Sequence, residues 1–147
     1  MALEKGPALK IGDRIEVTIE KVAHGGHFIA RHNGAVIFVR HAVEGEVCTV
    51  ELTSVGASFS RADVISIHTP SEHRVNPPCT FSNPDGCGGC DFQHISEEHQ
   101  RTLKSQVIAE QFARIAKMDL NVAVEKVGES THWRTRAIAT TNKDGKL

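Results

Sequence analysis

Three of the four cysteines lie in one short stretch, Cys79, Cys87 and Cys90, spaced C-x7-C-x2-C. A C-x2-C pair lets two thiolates reach one metal atom or one cluster, and thiolate is the ligand that zinc and iron–sulfur centres take. Gly88 and Gly89 fill the gap between the last two cysteines. Lacking side chains, they reach positive φ and allow close backbone approach, so such a loop can wrap a cluster and aim N–H groups at sulfur. Pro77-Pro78 before the loop and Asn83-Pro84-Asp85-Gly86 within it mark irregular backbone. Three chemistries compete here. One is an iron–sulfur cluster, which takes four thiolates; another is a structural zinc site of three cysteines with His94 as the fourth ligand; the third is reduced thiols without metal. A disulfide is disfavoured. The opening Met-Ala-Leu-Glu-Lys-Gly has no apolar secretory core, and cysteines this close in a cytosolic chain read as metal or redox chemistry. The expected location is cytoplasmic.

The elements that position this loop differ on its two sides. Upstream, the pattern is all β. Ile15, Val17 and Ile19 alternate with Glu16, Thr18 and Glu20, the period of a half-buried strand. Residues 27–31 and 35–39 flank His32-Asn33-Gly34, and Asn-Gly between apolar runs is a strong hairpin signal. Glu44-Gly45-Glu46 forms another turn; Cys48, Val50 and Leu52 then alternate with threonine and glutamate, and residues 62–68 supply a fifth strand. Five short strands without an intervening helix predict a small barrel or sandwich. Cys48 shares a strand face with Val50 and Leu52, so it reads as a small core residue. Downstream, Ser96 followed by Glu97 and Glu98 reads as a helix N-cap with acid in the first turn. Leu103, Val107, Ile108, Phe112 and Ile115 recur at helical spacing and predict a helix to about Lys117, its apolar stripe packed and its Arg101, Lys104, Arg114 and Lys117 in solvent. Residues 122–127 and 133–141 read as two further strands, with a turn at 142–145 whose returning strand is missing, as in a piece of a longer protein.

Composition sets outer limits. With 147 residues, 24% charged and 39% hydrophobic, the chain reads as soluble, globular and monomeric, one ordinary domain or two small ones. No apolar run is long enough to cross a bilayer. A net charge of −1 gives no bulk signal for nucleic acid, so any such binding would have to rest on local patches.

The order of the pieces is more specific than their number. Gly25-Gly26-His27-Phe28-Ile29-Ala30-Arg31, Asn33-Gly34, Val36-Ile37-Phe38-Val39 and Glu44-Gly45-Glu46-Val47 together resemble a TRAM domain. Cys79, Cys87-Gly88-Gly89-Cys90 and Gln93-His94 resemble the signature of RumA-type RNA uracil-5 methyltransferases. Two departures stand out: two extra residues in the first cysteine gap, and no cysteine after Cys90.

The resemblance implies an architecture that is mainly β with α. Residues 1–70 would be an OB-like, five-stranded RNA-binding barrel, residues 71–95 an iron–sulfur loop, and residues 96–147 a helix and the start of a further domain. It implies that Cys79, Cys87 and Cys90 hold a [4Fe-4S] cluster whose fourth ligand is not in this chain. The partner it implies is ribosomal or transfer RNA. An OB-like groove pairs cations with stacking aromatics, which makes His27, Phe28, Arg31 and Arg40 the candidate RNA contacts, joined by Arg134 and Arg136 beside Trp133. In that family S-adenosylmethionine, the catalytic cysteine and the base belong to a further domain. No Gly-rich cofactor fingerprint occurs here, so the chain by itself is expected to recognise RNA without methylating it.

Overall fold

The alternating segments upstream of residue 70 become five strands: β1 (Arg14–Val22), β2 (Phe28–His32), β3 (Ala35–Arg40), β4 (Val47–Val55) and β5 (Ser60–Thr69). The computed structural model describes residues 8–146. The strands close into a barrel in the order β1-β2-β3-β5-β4. Every pairing is antiparallel except β3 with β5, which is parallel. This is the five-stranded Greek-key barrel of an OB fold.

The period of two decides what fills the barrel. Phe28, Val39 and Ala62 form one inward row across β2, β3 and β5, and Ala30, Ile37 and Ser60 form the next; all six are buried. Burying a side chain the size of Phe28 contributes about 1.5–3 kcal/mol. Cys48, paired with Val17, is fully buried, as its strand face predicts. Asn33 and Gly34 turn the chain between β2 and β3 with φ of 49° and 83°, the positive pair that a two-residue hairpin of matching twist requires.

The Glu44-Gly45-Glu46 turn holds more than its sequence suggests. Glu46 is completely buried. One carboxylate oxygen accepts the Val43 N–H at 2.9 Å, and the other accepts the Ser71 N–H at 3.1 Å. Its backbone carbonyl accepts the Ile19 N–H at 2.9 Å. One residue thus joins β1, the approach to β4 and the chain leaving β5.

A second compact unit begins at His73. It starts with a strap: Val75 N–H donates to the His94 carbonyl and Ser96 N–H to the His73 carbonyl, both at 2.9 Å, around an Arg74–Ile95 bridge. The strap closes the base of the cysteine loop. Helix α1 (Glu97–Gln111) follows directly. The Gln100 amide donates to the carbonyls of Phe92 (3.0 Å) and Ile95 (2.9 Å), fixing the helix start to the strap.

Several expectations fail here, each for a local reason. Ser96 stands at the N-cap without a side-chain capping bond; its backbone is committed to the strap and Gln100 anchors the helix instead. Of the apolar stripe only Leu103 is buried, while Phe112 and Ile115 are exposed. After Gln111 the helix widens into a π-helical turn, Phe112–Ala116, and stops at Lys117 with φ 57°. Residues 122–127 and 133–141 form no strands. They find single anchors, Val124 N–H on Ser105 Oγ at 3.1 Å and Thr140 N–H on the Cys87 carbonyl at 3.0 Å, rather than a ladder. The 142–145 turn does form, with Asn142 Oδ1 accepting the N–H groups of Asp144 and Lys146.

Glu46→Ala strands two backbone donors, and an unsatisfied buried donor costs about 1–3 kcal/mol. The variant should therefore lose about 2–5 kcal/mol in urea unfolding, and Glu46→Gln, which keeps an acceptor, clearly less. An unchanged midpoint for both would remove Glu46 as the fastening of the turn.

Candidate nucleic-acid interface and cysteine loop

The residues that alternate with the core rows point outward. Ile29, Phe38 and Arg61 are paired neighbours across β2, β3 and β5, one step from the buried row of Phe28, Val39 and Ala62. Phe59, on the turn between β4 and β5, sets its ring edge-on to Phe38 at 5.3 Å between centroids. His27, just before β2, meets Phe38 from another direction at 6.3 Å. The Arg61 guanidinium lies 5.7 Å from the centre of the Phe59 ring, a cation–π distance. Phe59 nonetheless keeps 44% of its surface exposed. The face therefore offers π surface with cations beside it.

This arrangement redistributes the candidates. Phe28 is 1% exposed and fills the core, so it cannot stack on a base; the period of two turns it inward while Phe38 and Arg61 turn outward. His27 belongs to the outer face. Arg31 is exposed and only loosely paired with Glu20, at 3.6 Å, a contact of small energy. Arg40 makes a fork on Asp63, at 2.8 and 3.1 Å, so its charge is largely spent on the barrel wall. Sequence reading missed Phe38, Phe59 and Arg61. Phe38 carried a signal, since its neighbours Ile37 and Val39 already claim the inward positions. Phe59 carried another, an aromatic residue in a turn.

In the second unit, Arg134 and Arg136 are exposed, and the Arg134 guanidinium lies 5.0 Å from the Trp133 ring centre. A cleft of about 570 Å³ is lined by Arg101, Lys104, Lys126 and Trp133 among others. At its edge, hydrogen bonds from Ser130 and Lys126 hold the Glu97 carboxyl below the usual glutamate range.

The cysteine loop is built by short-range bonds. Ser82 N–H donates to the Cys79 carbonyl (3.1 Å), Gly86 N–H to the Asn83 carbonyl (3.0 Å), and Asp85 N–H to Asn83 Oδ1 (3.0 Å). The Gln93 side chain accepts the Cys79 N–H at 3.2 Å, drawing the two ends of the loop together. At Gly86 a Cβ would stand 1.8 Å from the Phe81 carbonyl oxygen, so only glycine fits. Beside Gly89 a Cβ would touch Cys87 Sγ at 3.6 Å, so the missing side chain leaves that sulfur room. Cys79 and Cys87 are half-buried and Cys90 is exposed. In donor type and glycine content the loop fits a thiolate-bound cluster; in number, three thiols stand against the four that a cluster takes. Among the described residues no three His, Cys, Asp or Glu side chains converge on one point. His94, the zinc alternative's fourth ligand, is 3% exposed, its backbone held by the strap.

Residues 8–65, the barrel up to the middle of β5, match the TRAM domain family. They form a TRAM domain. The chain is also similar over most of its length to RNA methyltransferases. It is 40% identical to an uncharacterized RNA methyltransferase of Streptomyces coelicolor, over 95% of this chain and 34% of that protein. It is 33% identical to a 23S rRNA (uracil-C5)-methyltransferase of Shewanella piezotolerans, over 93% of this chain and 31% of that one. The chain thus spans about a third of the length of these curated relatives. A conserved protein of Methanococcus maripaludis, solved in solution, is 38% identical over 44% of this chain and 99% of its own, with a TM-score of 0.38. No helix among the described residues is long and apolar enough to cross a membrane.

Gly86→Ala should open the loop beyond the TRAM domain without unfolding the barrel. Hydrogen exchange at the Asp85 and Gly86 amides should accelerate at least tenfold while the β2–β3 amides stay protected. Unchanged exchange at both loop amides would show that the loop tolerates a side chain there.

Proposed function

We propose that this chain is the RNA-recognition and cluster-binding part of an S-adenosylmethionine-dependent RNA uracil-C5 methyltransferase acting on ribosomal or transfer RNA in the cytoplasm. The observation that carries the reading is a TRAM barrel continuous with a second segment, both similar to RNA methyltransferases over 95% of this chain. The methyl donor, the nucleophile and the base belong, on this reading, to the rest of such an enzyme. The barrel contributes the outer face around Phe38 and Phe59, with Arg31, Arg61 and His27 at its borders; Arg134 and Arg136 are candidate contacts of the second unit.

Cys79, Cys87 and Cys90 would hold a [4Fe-4S] cluster, with the fourth ligand supplied from outside the loop. When bound, the cluster would cross-link these three cysteine thiolates through its iron atoms, as a structural staple. The second unit gives a reason for such a staple. Among its described residues only His94, Ile95 and Leu103 are buried, and a segment with so small a core depends on cross-links or metal for order. The absence of a side chain at Gly89 leaves the Cys87 sulfur uncovered on that side.

The 147-residue chain should bind RNA with an affinity that falls linearly on a logarithmic salt scale, since each phosphate neutralised releases counterions. The double variant Arg31→Ala, Arg61→Ala should weaken binding across sequences and flatten that slope by about 2. RNA binding that is absent, or insensitive to salt, would sink the reading of the barrel.

Protein purified without oxygen should be brown and contain iron, and Cys87→Ser should lose both colour and iron. A colourless protein with stoichiometric zinc, released by His94→Ala, would replace the cluster by the tetrahedral alternative.

A further inference from the structure

One hydroxyl in the cysteine loop lacks the partner that its burial calls for. The Ser82 side-chain oxygen is buried and, among the described residues, makes no hydrogen bond. A buried polar group left in that state costs stability. Its surroundings avoid this cost. Asn83 Nδ2 donates to the Thr80 carbonyl at 2.8 Å, and Asn83 Oδ1 accepts the Asp85 N–H at 3.0 Å. The Gln93 side chain accepts the Cys79 N–H. The carbonyls of Cys79 and Asn83 are also in use, taking the N–H groups of Ser82 (3.1 Å) and Gly86 (3.0 Å).

The local backbone puts this hydroxyl among thiols. Phe81 and Asn83 on either side are exposed, whereas Ser82 is half-buried. Gly86 lies against the Phe81 carbonyl, where a Cβ would stand 1.8 Å away, so the loop closes on itself beside Ser82. Ser82 is also the fourth residue of the turn that begins at Cys79, and the ends of such a turn lie within about 7 Å by Cα. Cys79 and Cys87 are both half-buried. A neutral thiol is a weak acceptor. Metal binding removes its proton, and hydrogen bonds to an ionised acceptor are roughly twice as strong as neutral ones.

We infer that the Ser82 hydroxyl donates a hydrogen bond to a metal-bound thiolate of this loop, with Cys79 the nearest in the turn, and that metal loading creates its partner. Ser82 is then a positioning residue: it orients one sulfur and draws charge from it. This rests on the reading that the three cysteines hold a metal. The chemistry is the same for a thiolate on the iron of a cluster and for one on zinc, and the test separates the two.

The test uses the 147-residue chain purified without oxygen, with Ser82→Ala, which removes the donor, and Ser82→Thr, which keeps it. In iron-loaded protein, Ser82→Ala should lower the reduction potential, because hydrogen bonds to sulfur favour the more negative reduced cluster. Its iron–sulfur stretching bands should also lose part of the shift that the parent shows in heavy water. The threonine variant should follow the parent in both. In a zinc-loaded chain, cobalt replaces zinc as the probe, and the thiolate-to-cobalt charge-transfer band should move in the alanine variant only. With either metal, loss to a chelator should be about 2- to 10-fold faster for Ser82→Ala, the factor of one ordinary hydrogen bond. Without metal, hydrogen exchange at the Ser82, Asp85 and Gly86 amides should be no faster in Ser82→Ala than in the parent. An alanine variant with the parent's potential and heavy-water shift, or with its cobalt band, overturns the inference. Faster exchange in the metal-free alanine variant also overturns it and makes the hydroxyl an ordinary support of the loop. A chain that takes up neither iron nor zinc overturns the metal reading itself, and this inference with it.

Discussion

The parallel pairing of β3 with β5 is the constraint on which the barrel depends. Without it five strands make an open sheet with two bare edges, which is a template for aggregation. With it, Ile37 meets Ser60, Phe38 meets Arg61, Val39 meets Ala62 and Arg40 meets Asp63. Alternate rungs of this seam do opposite work. Ile37, Val39, Ser60 and Ala62 turn into the core, while Phe38 and Arg61 turn out and become the centre of the candidate RNA face. At the far end Arg40 grips Asp63 with two hydrogen bonds, a bidentate and directional contact. The interaction that closes the fold also assembles the site, so the binding face cannot be altered at Phe38 or Arg61 without touching the seam.

The two compact units solve the problem of order differently. The barrel buries a continuous apolar interior and fixes the buried Glu46 carboxylate with backbone donors from both sides. A buried charge is costly unless its oxygens are satisfied, and here the satisfaction doubles as a clasp between the turn before β4 and the end of β5. The second unit has almost no interior. Its order comes from a strap of two backbone hydrogen bonds, the Gln100 amide and short-range bonds in the cysteine loop. Thiols gathered in such a segment make sense as cross-linking ligands, because there is little hydrophobic burial to do the same work.

The charge pattern limits how RNA can be held. Acidic and basic residues nearly balance, and three of the barrel's arginines, Arg14, Arg31 and Arg40, are engaged with carboxylates. A protein that relies on counterion release alone needs many free cations. This one presents few, set beside aromatic surface.

Much was legible in the sequence. The period-two alternation determined five strands, the Asn33-Gly34 turn and the inward position of Cys48, because side-chain direction in a strand follows from residue parity alone. The cysteine spacing and its glycines determined an irregular loop able to hold thiolates. Motif order pointed to the TRAM domain. Tertiary structure decided the rest. Only barrel closure brings Phe59, remote in sequence from Phe38, against it, and only the register of β2 on β3 tells that Phe28 faces in. The role of Glu46 depends on Ser71, a partner 25 residues away that no local pattern announces. Residues 122–127 and 133–141 have strand-like sequences yet stay unpaired, because a strand exists only where another backbone lies alongside to complete its hydrogen bonds.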